Sequence, residues 1–179
     1  MGKKQQDNFD FSRFISLSGH QFSFEQAIIT IFQYIQERPD STYRVILGTD
    51  SEGFGEVDYA TAIVVHRVGA GGRAFVCKNE MDTRSLRQKI YNEATLSLAL
   101  AQILTPILTE KISEEFAREN LVIHIDVGQK GETKDIIREV VGMVHGNGFK
   151  VEIKPDSFAA SNVADRFTAP PKVKLAHAS

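Results

Sequence analysis

Five acids stand where the chain enters or leaves an ordered run: Asp50 in GTDS, Glu93 in KIYNEATL, Asp126 in LVIHID, Asp156 in IKPDS and Asp165 in NVADRF. Carboxylates drawn together repel and hold their protons unless divalent cations neutralise them. Oxygen-only donors of this kind select hard ions, Mg²⁺ or Mn²⁺. Two such ions about 4 Å apart can activate a water and stabilise the leaving oxygen of a phosphodiester. These five acids are therefore the candidate catalytic and metal-ligating residues, with two ions of Mg²⁺ or Mn²⁺ as the implied cofactor.

Each acid also has an ordinary role to set beside this one. Asp50 follows Gly48 on one face of a strand, which leaves space above its carboxylate, but an aspartate at a strand end also caps turns. Asp126 shares a strand face with Val122 and His124 and precedes the loop VGQKGETK; the carboxyl end of a parallel strand is where open α/β sheets place ligands. A loop-start aspartate accounts for it equally. Glu93 interrupts a helical stripe of Leu86, Ile90, Ser97, Leu100 and Leu104, and an acid there needs a partner unless a small rotation of the helix brings it to the surface. Asp156 can cap the helix that follows it, and Asp165 can be an exposed helical acid.

Other chemistries lack their residues. His20, His66, His124, His145 and His177 form no zinc-spaced pair, and His124 reads first as a packed strand histidine. The single cysteine, Cys77, alternates with Phe75 in a strand-like run, which makes it a buried core residue. One cysteine forms no internal disulfide and suits a reducing, cytoplasmic compartment. GAGG at 69–72 has no following helix and no GK[ST], so it reads as a hairpin turn. With 21 Lys and Arg against 23 Asp and Glu, any contact with nucleic acid has to come from a local patch. No stretch approaches the roughly 20 apolar residues that span a bilayer.

The elements that must position these acids follow from periodicity. Residues 1–22 read as a polar arm, and 169–179 as a loose tail, flanking a domain at 23–168. Ser23 and Gln26 have capping-box spacing before a helix with apolar residues at 24, 27, 28, 31, 32 and 35, ended by Pro39. TYRVILGTDS, YATAIVVHRV and RAFVCKNE read as an antiparallel meander. A long helix at 84–104 follows, broken or kinked by Pro106 before a second piece to 119. LVIHID, a helix to GNG, and FKVEIK make a strand-helix-strand unit with a parallel crossover. A short helix, SFAASNVADRF, closes the order. The expectation is an α/β domain with a mixed five-stranded sheet, three antiparallel strands then two parallel, helices on both faces and an extra N-terminal helix. Without that leading helix, this is the element order of a ribonuclease-H-like domain.

GTDS at 48–51, SLRQKIYNEATLSLALA around Glu93, HIDVG at 124–128, VGMV at 141–144 and IKPDSFAASNVADRFT at 153–168 resemble the YkuK-type ribonuclease-H-like family. A second, weaker similarity is to type 2 ribonuclease H enzymes, where an aspartate leads into an Ala-Ala-Ser helix as Asp156 precedes Ala159, Ala160 and Ser161. Their GxDE motif departs here to GTDSE, with Ser51 in place of the adjacent glutamate and Glu52 one position late. The resemblance implies a metal-dependent nuclease acting on RNA or an RNA/DNA hybrid. Asp50 and Asp126 would be core ligands, Glu93 would complete the shared site, and Asp156 or Asp165 would hold the second ion. Lys130, Lys134, Arg84, Arg87 and Lys89 are the candidate phosphate contacts. The alternative is a noncatalytic nucleic-acid-binding or protein-interaction domain on the same fold.

Overall fold

The structure is a computed structural model that describes residues 9–127, 131 and 133–153. In chain order the elements are β1 (Arg13–Ser16), β2 (Gln21–Ser23), α1 (Phe24–Gln36), β3 (Tyr43–Ser51), β4 (Gly55–Arg67), β5 (Gly72–Thr83), α2 (Leu86–Lys111), α3 (Glu114–Asn120), β6 (Leu121–Ile125), α4 (Thr133–Gly146) and β7 (Lys150–Ile153). They build one seven-stranded sheet in the order β2-β1-β5-β4-β3-β6-β7. β3, β4 and β5 pair antiparallel, while β6 joins β3 and β7 joins β6 in parallel. The five-stranded α/β pattern expected from the sequence is thus the right-hand part of a wider sheet.

The two extra strands lie in residues read from sequence as a polar arm. Phe14 of β1 is fully buried, and Ile15 pairs with Val76 of β5 on the side away from β4, so the hairpin extends the sheet. α1 begins with the expected reciprocal cap. The Gln26 amide donates to Ser23 Oγ at 3.1 Å, and the Ser23 amide donates to Gln26 Oε1 at 2.8 Å. Arg67, 6% exposed, pins α1 to β4: it donates to the Tyr34 carbonyl, the Tyr43 hydroxyl and Glu37, and lies 4.0 Å over the Tyr34 ring. The β4–β5 turn uses Gly69 and Gly71 at positive φ, and a Cβ at Gly72 would meet the Val65 carbonyl at 2.8 Å, so GAGG is a hairpin turn.

Of the two expectations for Pro106, a break or a kink, the break does not occur: the helix ends at Lys111, and a separate piece, α3, follows. α2 runs unbroken through the proline, with Thr105 Oγ1 donating to the Ala101 carbonyl at 2.8 Å. Pro106 and Gln102 are both exposed, so the carbonyl that loses its amide donor lies towards water, while Leu100, Leu104 and Leu108 stay packed in the core.

Buried residues of all four described helices form one cluster with Val45 and Leu47 of β3, Ile63 and Val65 of β4, and Leu121 and Ile123 of β6. The opposite face carries two small clusters, Ala60, Ala62 and Val76, and Ile46 with Val122, both touching Val64. The final helix expected around 157–167 lies outside the described residues.

Candidate functional site

Strand alternation decides where the acids go. Thr49 and Ser51 of β3 face α2: Thr49 Oγ1 lies 2.8 Å from Ser97 Oγ and 3.0 Å from Thr61 Oγ1, and Ser51 Oγ donates to Glu93 Oε1 at 2.7 Å. Gly48 and Asp50 therefore face away from α2. On β6 the register pairs Gly48 with His124, and Val122 packs with Ile46 on that same outer face. Asp50 and Asp126 stand two residues past this pair on neighbouring parallel strands, both half-buried at the carboxyl ends.

Glu93 approaches from the other side. It is 8% exposed in the stripe that also buries Ile90, Ser97, Leu100 and Leu104; Leu86, the first member of that stripe, is 44% exposed at the helix start. Burial pushes the Glu93 carboxyl up to about 7, and the charges of Asp50 and Asp126 push the same way, against the Ser51 hydrogen bond and Lys89. A carboxyl pushed up chiefly by its burial, and further by two other carboxylates, is electrostatically suited to a divalent cation, whose charge would offset both effects. The oxygen-only donor set fits Mg²⁺ or Mn²⁺. Among the described residues, however, no group of three His, Cys, Asp or Glu stands close enough to hold a metal ion. Asp50 leaves the sheet on the face away from α2, whereas Glu93 is tied to Ser51 on the near face. Asp156 and Asp165 lie outside the described residues, as does Lys130.

The remaining candidate bases are divided. Arg84 is exposed and donates to Asp82 at 2.7 Å, and Arg87 is paired with Glu139, which also accepts from the Tyr91 hydroxyl. Lys89 is half-buried and acts on Glu93, while Lys134 is exposed in the first turn of α4. Cys77 is buried and its thiol is pushed up to about 12, chiefly by burial, which leaves it unsuited to nucleophilic work.

Two pairings were not apparent from the sequence. Ser51 was read only as a departure from a motif, and its partner lies 42 positions away. His124, 3% exposed, has Nε2 2.9 Å from Glu152 Oε2, and Arg44 donates to the other oxygen of Glu152 at 2.6 Å. Burial lowers the His124 pKa more than Glu152 raises it, which favours the neutral ring, so this is the packed strand histidine expected, set beside the Arg44–Glu152 ion pair.

A mixed sheet with two parallel strands carrying acids at their carboxyl ends, and a long helix carrying a third acid packed against it, is the frame of a ribonuclease-H-like domain. Residues 26–169 match the Ribonuclease H-like family, and the chain belongs to it. A curated relative is "Uncharacterized protein YkuK" of Bacillus subtilis (strain 168), 33% identical over 165 residues, covering 87% of this chain and 96% of the relative. The chain is therefore of the YkuK type within that family. No solved structure matches it. None of the described helices is long and apolar enough to cross a membrane.

Proposed function

We propose that this protein is a divalent-metal-dependent nuclease hydrolysing phosphodiester bonds in RNA or an RNA/DNA hybrid. The observation that carries the reading is the placement of Asp50 and Asp126 at the carboxyl ends of adjacent parallel strands, with the buried Glu93 carboxyl of α2, pushed up to about 7 chiefly by burial, in their field. The carboxyl ends of adjacent parallel strands are where such sheets place their ligands, and a buried helix carboxyl with a raised pKa in their field supports a functional site there. In this reading Asp50 and Asp126 are the core ligands, Glu93 joins them, and Asp156 or Asp165 completes the set. Bound Mg²⁺ or Mn²⁺ would supply an activated water and charge stabilisation for the leaving oxygen. The chain's own residues hold the charge: Gly48 keeps the strand face before Asp50 free of a side chain, and Glu93 reaches the site from α2 with its proton released as positive charge arrives. Lys130, Lys134, Arg84, Arg87 and Lys89 contact the phosphates, and the catalytic domain is 23–168 in a reducing cytoplasm.

A second reading, a noncatalytic nucleic-acid-binding or protein-interaction domain, is favoured by the lack of an assembled three-residue metal group among the described residues. A cleavage panel of single- and double-stranded RNA, DNA and hybrids with Mg²⁺ or Mn²⁺ separates the two. Metal-dependent cleavage of RNA or hybrid is expected, and an intact panel with saturable nucleic-acid binding would establish the second reading.

A further inference from the structure

Two hydroxyl bridges join β3 to α2: Thr49 Oγ1 to Ser97 Oγ at 2.8 Å, and Ser51 Oγ to Glu93 Oε1 at 2.7 Å. Their spacing is set by geometry. Two residues along a strand advance about 6.8 Å and four residues along a helix about 6 Å, so alternate strand positions match i and i+4 on a helix running the opposite way. All four side chains are buried: Thr49 at 4% exposure, Ser51 at 4%, Ser97 at 1% and Glu93 at 8%. The two bridges are nevertheless chemically different. Thr49 and Ser97 are neutral and share a third hydroxyl, Thr61, which gives the trio donors and acceptors enough to satisfy itself. Ser51 donates to a carboxylate, and this is the one hydrogen bond the Glu93 side chain makes among the described residues.

Resting on the metal-dependent reading above, we propose that Ser51 is the positioning residue for Glu93. Its hydroxyl fixes Oε1 and the side-chain rotamer, so that Oε2 is the oxygen presented towards the ends of β3 and β6. A carboxylate on a long side chain has several rotamers, and holding one oxygen removes that freedom before a cation arrives. An acid at position 51 would instead place like charge against Glu93 in a buried setting, which gives a physical reason for serine directly after Asp50. Thr49 and Ser97 dock the helix but touch no ligand, and they provide the internal control.

The test is calorimetric titration of the full chain with Mn²⁺, alongside thermal melting, for the wild type, Ser51→Ala, Ser51→Thr and Thr49→Val. Ser51→Ala is expected to weaken Mn²⁺ binding by roughly tenfold or more, the loss typical when a residue that orients a ligand is removed. Ser51→Thr, which keeps the hydroxyl, regains the affinity. Thr49→Val lowers the melting temperature yet binds Mn²⁺ as the wild type does. Wild-type affinity in Ser51→Ala, or an equal loss in Thr49→Val, overturns the positioning role while leaving the metal site standing. A wild type with no saturable heat sinks the metal reading itself, and the positioning role with it.

Discussion

Gly48 of β3 and His124 of β6 are register partners, and each lies two residues short of an aspartate. That pairing makes Asp50 and Asp126 neighbours although 76 positions separate them, because parallel strands advance in step. A one-residue slip in this pairing would turn one aspartate to the helix-covered face and end the relationship.

Asp50→Asn and Asp126→Asn should each abolish metal-dependent cleavage with the fold retained. Each keeps the shape of the side chain and removes the charge that would hold a cation. In metal-free buffer the melting temperature should stay level or rise, since one source of repulsion towards Glu93 is gone. Cleavage and melting curves measured on the same preparations check this; full activity in either variant removes that residue from the site.

Glu93 should make metal-free stability fall with rising pH. Its folded pKa of about 7 lies above the ordinary 4.5, so the native state holds the proton more tightly than the unfolded chain. The stabilisation is full below about pH 4.5 and is lost as the pH rises through 7, amounting to on the order of 3 kcal/mol if the whole shift counts. Glu93→Gln should flatten this part of the profile and be more stable than the wild type at pH 8. Urea denaturation in EDTA at pH 5 and pH 8 measures both.

Among the candidate phosphate contacts, Arg84 and Arg87 have different local partners. Both are ion-paired, but Arg84, 83% exposed, pairs with Asp82 two residues away, whereas Arg87, 55% exposed, pairs with Glu139 across on α4. For a duplex ligand, Arg84→Ala should reduce the slope of log affinity against log salt by about 0.9, the value for one lost phosphate contact, and Arg87→Ala by less. Equal slopes in wild type and Arg84→Ala would exclude Arg84 from the interface.

Asp156 and Asp165 compete for one role. Alanine at the ligand position should abolish Mn²⁺-dependent cleavage. Alanine at Asp156, if that residue serves as a helix cap, should cost only about 1 kcal/mol in stability. Parallel assays of the two variants decide the assignment.

The sequence carried the parts of this structure that local patterns dictate. The capping box at Ser23, the Gly-bearing turn after Arg67 and the helical stripe around Glu93 each follow from short-range spacing, and each is present. The N-terminal hairpin was not legible because β1 has four residues and β2 three, too few for alternation to stand out, and it is held by pairing with β5 some 60 positions away. At Pro106 the local rule allows a break or a kink, and the packing of Leu100, Leu104 and Leu108 rules out the break by keeping the helix continuous. Ser51 has no periodic signature, and its importance appears only once the fold sets Glu93 beside it.

The central claim, that acids gathered at the ends of β3 and β6 hold a divalent cation, is tested most directly by thermal melting with and without Mn²⁺. A ligand that binds the native state alone, at a hundredfold excess over its dissociation constant, stabilises by about 2.7 kcal/mol. For a chain of this size that is a rise of roughly 5–10 °C, and Asp50→Asn should lose it. An unchanged wild-type melting temperature at millimolar Mn²⁺, or an equal rise in Asp50→Asn, would contradict the account.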